Sequence, residues 1–238
     1  MRLLVAGVLL VALAGCESTQ TKSARLERAA QSAKHEKGLE ITRDAAGIKI
    51  EGTTLLQQDG AAATVVEVEN ASTKTLVALP IGLQVKDAGG KNVYANDTPG
   101  LDASLVQVPA LAPGEKLAWV NDQATLTGDG KEVVARVGEG GKPGPKELPE
   151  MEISGLKAET DAAGSLSIVG NIKNASTVVQ KRLVVFVVAR KGGKVVAAGR
   201  AIIDALKPAE STHFSAFPIG DPHGAELSAA APPTVVTP

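Results

Sequence analysis

The chain has 238 residues, of which 21% are charged and 44% hydrophobic, and its formal net charge at pH 7 is −1. This balance and a sequence pI near 6.3 argue against a nucleic-acid-binding protein, because no stripe of Lys and Arg is visible. Aromatic residues make up only 2% of the chain, so any folded core must be built mainly from Val, Leu, Ile and Ala.

A short apolar run opens the chain, from Leu3 to Ala14, with Arg2 before it. With about a dozen residues the run is too short to cross a bilayer as a helix, and it is typical of the hydrophobic region of a signal peptide. It ends in four residues that include the only cysteine of the chain: Leu13, Ala14, Gly15 and Cys16.

These four residues resemble the bacterial lipoprotein signal position by position. The resemblance implies that residues 1–15 are a signal peptide, recognised through the three residues before Cys16, and that the Cys16 thiol carries covalent diacylglycerol and further acyl chains. Several acyl chains, at about 0.8 kcal/mol per buried methylene, make a firm membrane anchor. The alternative, a free cysteine buried in a cytosolic core helix, is disfavoured because no helical pattern continues past Glu17.

We therefore expect the mature protein in a bacterial cell envelope, anchored by lipid on the outer face of the cytoplasmic membrane or on the outer membrane. Glu17 stands where enterobacterial lipoproteins kept in the inner membrane carry aspartate, which favours the outer membrane. Lipidation of the only thiol leaves none for disulfides or thiolate metal sites, and we expect no other cofactor. Residues 16–38 follow as a polar, alanine-rich tether with helical character over Ala24 to Lys34.

Five sequence blocks occur twice in the same order, which indicates an internal duplication. The clearest is Asn-Ala-Ser-Thr, which begins at Asn70 and again at Asn174. A Leu-x-Pro-x-Glu block precedes Trp119 in the first copy and Phe214 in the second. We expect these two aromatic side chains to fill the cores of the two copies, and a surface aromatic platform is the alternative. Convergent hairpin composition is the alternative to duplication.

The hydrophobic pattern of each copy predicts β-strands. Apolar and polar residues alternate over Ala63 to Asn70 and over Leu166 to Asn174, the period of two of a half-buried strand. The runs from Leu76 to Val85 and from Leu183 to Ala189 are more continuously apolar, as in a central strand covered on both faces. Turn residues separate the strands at regular spacing, which predicts an all-β fold of the sandwich type.

The predicted organisation has two modules joined by a linker. Module one spans residues 39–137 and module two spans residues 150–231. Residues 138–149 between them hold four glycines and three prolines and are predicted to be a protease-accessible linker. The tail, residues 232–238, holds three prolines and is predicted to be disordered.

The two modules resemble the small immunoglobulin-like domains of exported bacterial lipoproteins, in particular the FxLYD type. They share a strand that ends in an asparagine turn, an apolar strand that runs into a Gly-Lys hairpin, and a Leu-x-Pro turn before an aromatic residue. The sequence departs from the family signature, since Phe186 is followed by Val187 and module one has Leu83 in place of phenylalanine. The resemblance implies two tandem immunoglobulin-like β-sandwiches that serve as an envelope-attached binding or spacer module without catalytic residues.

Catalytic and metal-binding patterns are weak in this sequence. It contains neither a Gly-x-Ser-x-Gly elbow nor a phosphate-binding glycine loop, so we expect a protein that is not an enzyme. The three histidines lack the spacing of a zinc helix: His35, His213 and His223. Some loop residues could gather around calcium, although turn chemistry explains them better: Asn96, Asp97, Asn121, Asp122 and Asp129. Three asparagines begin N-x-S/T sequons and are expected to cap turns without a glycan: Asn70, Asn96 and Asn174.

Two functions remain open at this point. The preferred one is a membrane-anchored, non-enzymatic envelope lipoprotein that presents its duplicated modules to a protein or polymer partner or acts as a spacer. The alternative is a small-ligand or metal-binding accessory lipoprotein, such as an exported carrier. A deep apolar cavity between the modules or clustered histidines would favour the carrier, and an open edge strand would favour protein binding. A protease-inhibitor role would need a protruding loop, for which Tyr94 to Leu105 is the candidate.

Overall fold

The computed structural model describes residues 38–58 and 60–237. Four predicted features lie outside the described residues: the signal peptide, the lipid attachment at Cys16, the tether before residue 38, and His35. The described chain is all-β, which confirms the predicted fold class: its fifteen strands are accompanied by one three-residue 3-10 turn, Ala103–Leu105. None of the helical structure in this part of the chain is long and apolar enough to cross a membrane.

Module one is a sandwich of two antiparallel sheets. Its strands are β1 (Ile48–Gln58), β2 (Ala61–Asn70), β3 (Leu76–Lys86), β4 (Asn92–Ala95), β5 (Gln107–Leu111), β6 (Lys116–Ala124), β7 (Glu132–Val137) and β8 (Lys142–Pro143). The first sheet has the order β1-β2-β6. In the second sheet, the long strand β3 pairs with β4, β5, β7 and β8.

Module two is built in the same way. Its strands are β9 (Met151–Thr160), β10 (Leu166–Asn174), β11 (Gln180–Lys191), β12 (Lys194–Leu206), β13 (Ser211–Ala216), β14 (Ile219–Gly220) and β15 (Glu226–Ala230). One sheet has the order β9-β10-β13, and the other has the order β14-β12-β11-β15.

Equivalent positions of the two modules have the same local structure. Asn70 and Asn174 end the central strands of the two three-stranded sheets. Ala78 in β3 and Arg182 in β11 have left-handed backbones, with φ of 53° and 48°, a conformation that is uncommon for residues other than glycine. The two modules therefore share a local irregularity of the backbone as well as the strand order of their three-stranded sheets.

Each sandwich has an aliphatic core around one large aromatic side chain. Trp119 is fully buried, and its Nε1 donates a hydrogen bond to the Gln107 carbonyl of the opposite sheet (3.1 Å). Phe214 is 3% exposed, and its ring lies so close to Gly170 that a Cβ atom there would be 2.8 Å from the ring. The prediction that these two residues fill the cores is confirmed.

Strand β11 is covered on both faces, as its continuous apolar run predicts. Alternate side chains of a strand point to opposite faces. The odd-numbered residues belong to the core of module two: Leu183, Val185 and Val187. The even-numbered residues belong to the core cluster of module one: Val184, Phe186 and Val188. The two modules therefore share apolar packing, and the described chain forms one compact unit.

The predicted linker follows the edge of module one. The Gly138 N–H donates to the Pro80 carbonyl (2.8 Å), and the Gly144 N–H donates to the Thr75 carbonyl (2.9 Å). Between them β8 pairs with the start of β3. The glycine and proline content predicts a loose segment, whereas the structure shows it paired with β3. The sequence does not reveal that β3 has an edge at which this segment can pair. Glu139 and Lys146 are exposed.

The tail packs on module two, which differs from the disorder expected from its prolines. Oε1 of the fully buried Gln180 accepts hydrogen bonds from the backbone N–H groups of Thr234 (3.0 Å) and Val235 (3.1 Å). Its Nε2 donates to the Val235 carbonyl (2.9 Å). Pro232 and Pro233 are buried, and proline has no backbone N–H to satisfy there. One glutamine side chain thus pairs with the tail as a neighbouring strand would.

Candidate functional site

Module two covers the outer face of the β1-β2-β6 sheet. Trp119 points into the core of module one, so the next residue along β6, Val120, points away from that core. Val120 and its cross-strand partner Val65 are nevertheless fully buried. They belong to the cluster that includes Phe186 of β11 and Ala198 of β12. The two modules therefore meet through an apolar interface between two sheet faces.

Three ion pairs cross this interface with the same polarity, since each joins an arginine of module two to an acid of module one. They are Arg182 with Asp102, Arg190 with Glu67, and Arg200 with Asp122. The side chains of the first two pairs are between 26% and 59% exposed, and exposed pairs contribute little to stability. The third pair differs because it is nearly buried, with side-chain exposures of 2% and 14%.

The buried Arg200 donates hydrogen bonds to two residues of module one. Arg200 Nε donates to Asp122 Oδ1 and its backbone N–H donates to Asp122 Oδ2, both at 2.9 Å. Its Nη1 donates to the Ser104 hydroxyl at 2.8 Å. Hydrogen bonds of this kind offset part of the hydration that a buried charge loses. This geometry sets one orientation of module two on module one.

The loop residues of this region that could gather around calcium bind protein groups. Asp122 holds Arg200, and Asn121 Nδ2 donates to the Tyr94 hydroxyl at 2.8 Å. Burial raises the pKa of that hydroxyl. Asp129 pairs with Lys131 at 2.6 Å. In the described residues, no group of three or more His, Cys, Asp or Glu side chains is placed to hold a metal ion.

A cleft of about 560 Å³ opens at one side of the interface between the modules. Its apolar wall is formed by Phe186 and Val188, together with the small residues Ala118 and Ala230. The charged residues that line it are Glu51, Glu67, Lys116 and Arg190. Ligand pockets usually measure about 300 to 1,000 Å³, so the cleft is large enough for a small molecule or a short peptide.

The charges around the cleft are organised in pairs. Lys116 Nζ lies 3.2 Å from Glu69 Oε2, and this hydrogen bond is the main cause that lowers the pKa of Glu69 and raises the pKa of Lys116. Arg190 pairs with Glu67 across the modules. The cleft therefore presents both signs of charge beside an apolar wall.

Two terminal strands contribute residues to the cleft. Among the described strands, β6 pairs with β2 alone and β15 pairs with β11 alone, so each is the last strand of its sheet. The cleft is lined by the first residues of β6, 116–118, and by the last residues of β15, 228–230. Terminal strands leave one row of backbone N–H and C=O groups without a strand partner. The cleft itself lies between two sheet faces, because Ser228 and Ala230 of β15 are the cross-strand partners of Val188 and Phe186 of β11.

The three sequon asparagines are all buried. Asn96 Nδ2 donates to the Ile81 carbonyl (2.9 Å) and the Leu105 carbonyl (2.7 Å), and its Oδ1 accepts from the Leu83 N–H at 2.6 Å. The candidate inhibitor loop from Tyr94 to Leu105 is thus held against β3 at both of its ends, and residues 97–100 between these ends are exposed.

The two described histidines lie on the surface of module two. His213 is exposed on β13, as predicted. His223 Nε2 lies 3.0 Å from the Thr160 hydroxyl, and its Nδ1 lies 2.7 Å from Asp221 Oδ1. Asp221 also accepts from the His223 backbone N–H at 2.9 Å, and this hydrogen bond is the main cause that lowers the Asp221 pKa. Because all three side chains are exposed, the arrangement orders a turn rather than enclosing a reaction site.

Repeat-equivalent positions of the two modules differ at this cleft. Ala118 and Val120 precede and follow Trp119, and their counterparts around Phe214 are His213 and Ser215. The first pair faces module two, whereas the second pair is exposed. Sequence reasoning missed this site, although the apolar outward positions of module one are a signal that could have shown it.

Comparison with protein-family models gives no match to this chain, and no curated protein matches its sequence.

Proposed function

We propose that this protein is a bacterial envelope lipoprotein, anchored through lipid on Cys16, whose two modules form one non-enzymatic binding body for a protein or cell-envelope polymer. The anchor is supported by the apolar leader that ends in Cys16. The binding role is supported mainly by one observation, the cleft of about 560 Å³ between two modules that share a core. The resemblance to FxLYD-type modules points to the same class of function.

The start of the described chain supports this arrangement. Ile41 lies against Gly82 of β3, and Arg136 Nη1 donates to the Ile41 carbonyl at 2.9 Å. Gly82 alternates with the buried residues Ile81 and Leu83, so it faces away from the core. The N-terminal segment of the described chain, at Ile41, therefore joins module one on the sheet opposite to the one that module two covers.

A small-ligand carrier is the second candidate. The volume of the cleft favours it, since 560 Å³ lies within the range of small-molecule pockets. The paired charges of the cleft favour a polypeptide or polymer chain, because a carrier site is usually enclosed and mostly apolar.

Metabolic labelling with an alkyne-bearing palmitate, followed by membrane fractionation, tests the anchor. The wild-type chain should be labelled and should sediment with membranes, whereas Cys16→Ser should be unlabelled. The matched control combines Cys16→Ser with Ser18→Cys, which restores a thiol but not its place directly after Gly15, and it should also be unlabelled. Palmitate label on the Cys16→Ser variant would contradict the anchor.

A further inference from the structure

We propose that residues 38–44 form a releasable strap, which lifts off the β3-β7 sheet of module one and lengthens the tether without unfolding either module. This inference goes beyond the proposed binding role and rests on the proposed anchor, because the strap continues the predicted tether. Three features support the strap: its weak contacts, the face that it covers, and the firm attachment at which it ends.

The strap is held by exposed contacts. None of residues 38–44 is buried. Arg136 Nη2 lies 2.9 Å from Asp44 Oδ1, and Arg43 Nη1 lies 3.4 Å from Glu139 Oε2. All four side chains are at least 46% exposed. Exposed ion pairs contribute little to stability and are screened by salt, so these contacts favour the docked strap only slightly.

Ile41 is the side chain that covers the outer face of β3. A Cβ atom on Gly82 would lie 3.0 Å from Cδ1 of Ile41. The repeat places Gly82 at the position of Phe186, because each follows the repeated asparagine by twelve residues. Phe186 is buried in the core cluster of module one, whereas Gly82 is covered by one half-buried isoleucine. A cavity of about 340 Å³ remains between the strap, at Leu39 and Ile41, and the sheet, at Val134. The cover of this face is therefore thin.

The strap ends at a firm attachment. Ala45 packs against the core cluster of module one, and its N–H donates to the Val137 carbonyl at 2.8 Å. Strand β1 begins shortly afterwards at Ile48. Residues 38–44 can therefore leave the sheet while β1 stays paired. At about 3.3 Å per residue, they add up to about 23 Å to the tether.

Two neighbouring amides report on the strap. The Glu139 N–H donates to the Arg43 carbonyl of the strap at 2.9 Å, whereas the Gly138 N–H donates to the Pro80 carbonyl of β3 at 2.8 Å. Lifting of the strap therefore exposes the Glu139 amide to exchange and leaves the Gly138 amide protected. The test is residue-resolved hydrogen exchange on the full-length lipidated chain in detergent.

The proposal predicts that the Glu139 amide exchanges faster than the Gly138 amide, once each rate is divided by its intrinsic value. A change from about 0.05 M to about 1 M NaCl should raise the ratio of the two rates at least about threefold. Ile41→Ser removes the covering side chain and should raise the ratio about tenfold. Ala46→Ser, at an exposed position just beyond the firm attachment, is the matched control and should leave it within about twofold.

Equal protection of the two amides overturns the proposal, because the segment then opens only together with the sheet. A ratio that stays the same in salt or in Ile41→Ser also overturns it. The salt series needs only the wild-type chain, so misfolding of Ile41→Ser leaves the test intact.

The added reach is measured by energy transfer on lipid vesicles. A donor fluorophore on Ser215→Cys of the vesicle-bound chain should transfer less energy to acceptor lipids in Ile41→Ser than in Ala46→Ser, because a longer tether holds the modules farther from the membrane on average. Equal transfer overturns the lengthening. Palmitate labelling that succeeds while the two amides stay equally protected would leave the anchor standing and refute the strap alone. The predicted exchange pattern in a chain without palmitate label would refute the anchor alone.

Discussion

Asn70 and Asn174 make the same hydrogen bonds at the same place in the two modules. In each case Nδ2 donates to two backbone carbonyls, at 2.8 and 3.0 Å. In each case Oδ1 accepts from the backbone N–H of the serine two residues later, at 3.0 Å. The repeated Asn-Ala-Ser-Thr block is therefore a buried turn cap, and its sequon asparagine has no free amide in the folded protein.

Replacement of Asn174 by alanine should destabilise the chain strongly. It removes both donors from the buried carbonyls of Val178 and Leu206, and each unsatisfied buried group costs about 1 to 3 kcal/mol. We expect the free energy of unfolding in urea to fall by about 2 to 4 kcal/mol. Asn171→Ala, on the exposed face of the same strand, should change it by less than about 0.5 kcal/mol. Equal effects of the two variants would show that the cap is not a structural element.

Arg200→Met should weaken the joint between the modules. The substitution leaves the Asp122 carboxylate nearly buried without its partner, and breaking a buried ion pair costs about 3 to 5 kcal/mol. Arg182→Met is the control, because its pair with Asp102 is exposed and should cost less than about 1 kcal/mol.

A double substitution separates the ion pair from simple packing. Arg200→Met combined with Asp122→Leu removes both charges, so it should be more stable towards urea than Arg200→Met alone. If the double variant loses as much free energy of unfolding as the sum of the losses from Arg200→Met and Asp122→Leu, the ion pair does not couple the modules.

Val120→Ser should destabilise the interface, whereas Ser215→Val should not. These residues are repeat-equivalent, but Val120 is covered by module two and Ser215 faces solvent. Burial of a hydroxyl in place of two methyl groups should cost about 1 to 3 kcal/mol in urea unfolding. The reverse change on the exposed strand should stay within about 0.5 kcal/mol. A comparable loss in both variants would argue against face-to-face packing of the modules.

Stability should fall in acid partly through Asp102. The hydroxyl of Ser104 donates to this carboxylate at 2.6 Å, and this hydrogen bond is the main cause that lowers the Asp102 pKa from its ordinary value of 3.8. A carboxyl whose folded pKa is lowered stabilises the protein fully above its unfolded pKa, and this contribution is lost as the pH falls through the folded pKa. The stability difference between wild type and Asp102→Asn, followed by thermal unfolding, should therefore shrink below about pH 4. A difference that is constant with pH would contradict this role.

The sequence was sufficient to predict the main strands of each module, although β3 alternates between buried and half-buried residues and is not fully covered on both faces as its apolar run predicted. The Asn-Ala-Ser-Thr blocks indicated equivalent turns, and Trp119 and Phe214 were expected in the cores, because local patterns and repeats report on the packing of a strand with its own sheet. The continuous apolar run of β11 predicted that both of its faces are covered. It did not show that module one supplies the cover on one face.

Contacts between distant segments could not be predicted from local sequence patterns. The pairing of Arg200 with Asp122 depends on how two sheets stack, and nothing local to either residue indicates it. The packing of the tail through Gln180 depends on one buried amide, whereas the composition of the tail suggests disorder. The cleft was missed for the same reason, since its walls come from two modules.

We propose that the two modules form one binding body that acts at a membrane. Photo-crosslinking in living cells tests it directly, with benzoylphenylalanine placed in the full-length chain at Ser228, which is exposed beside the cleft, or at Ser215, which is exposed on the far sheet of module two. We expect a discrete adduct from Ser228 in the membrane fraction and none from Ser215. The Ser228 adduct should be lost when Cys16 is replaced by serine. The absence of an adduct at Ser228, or the same adduct from both positions, would contradict it.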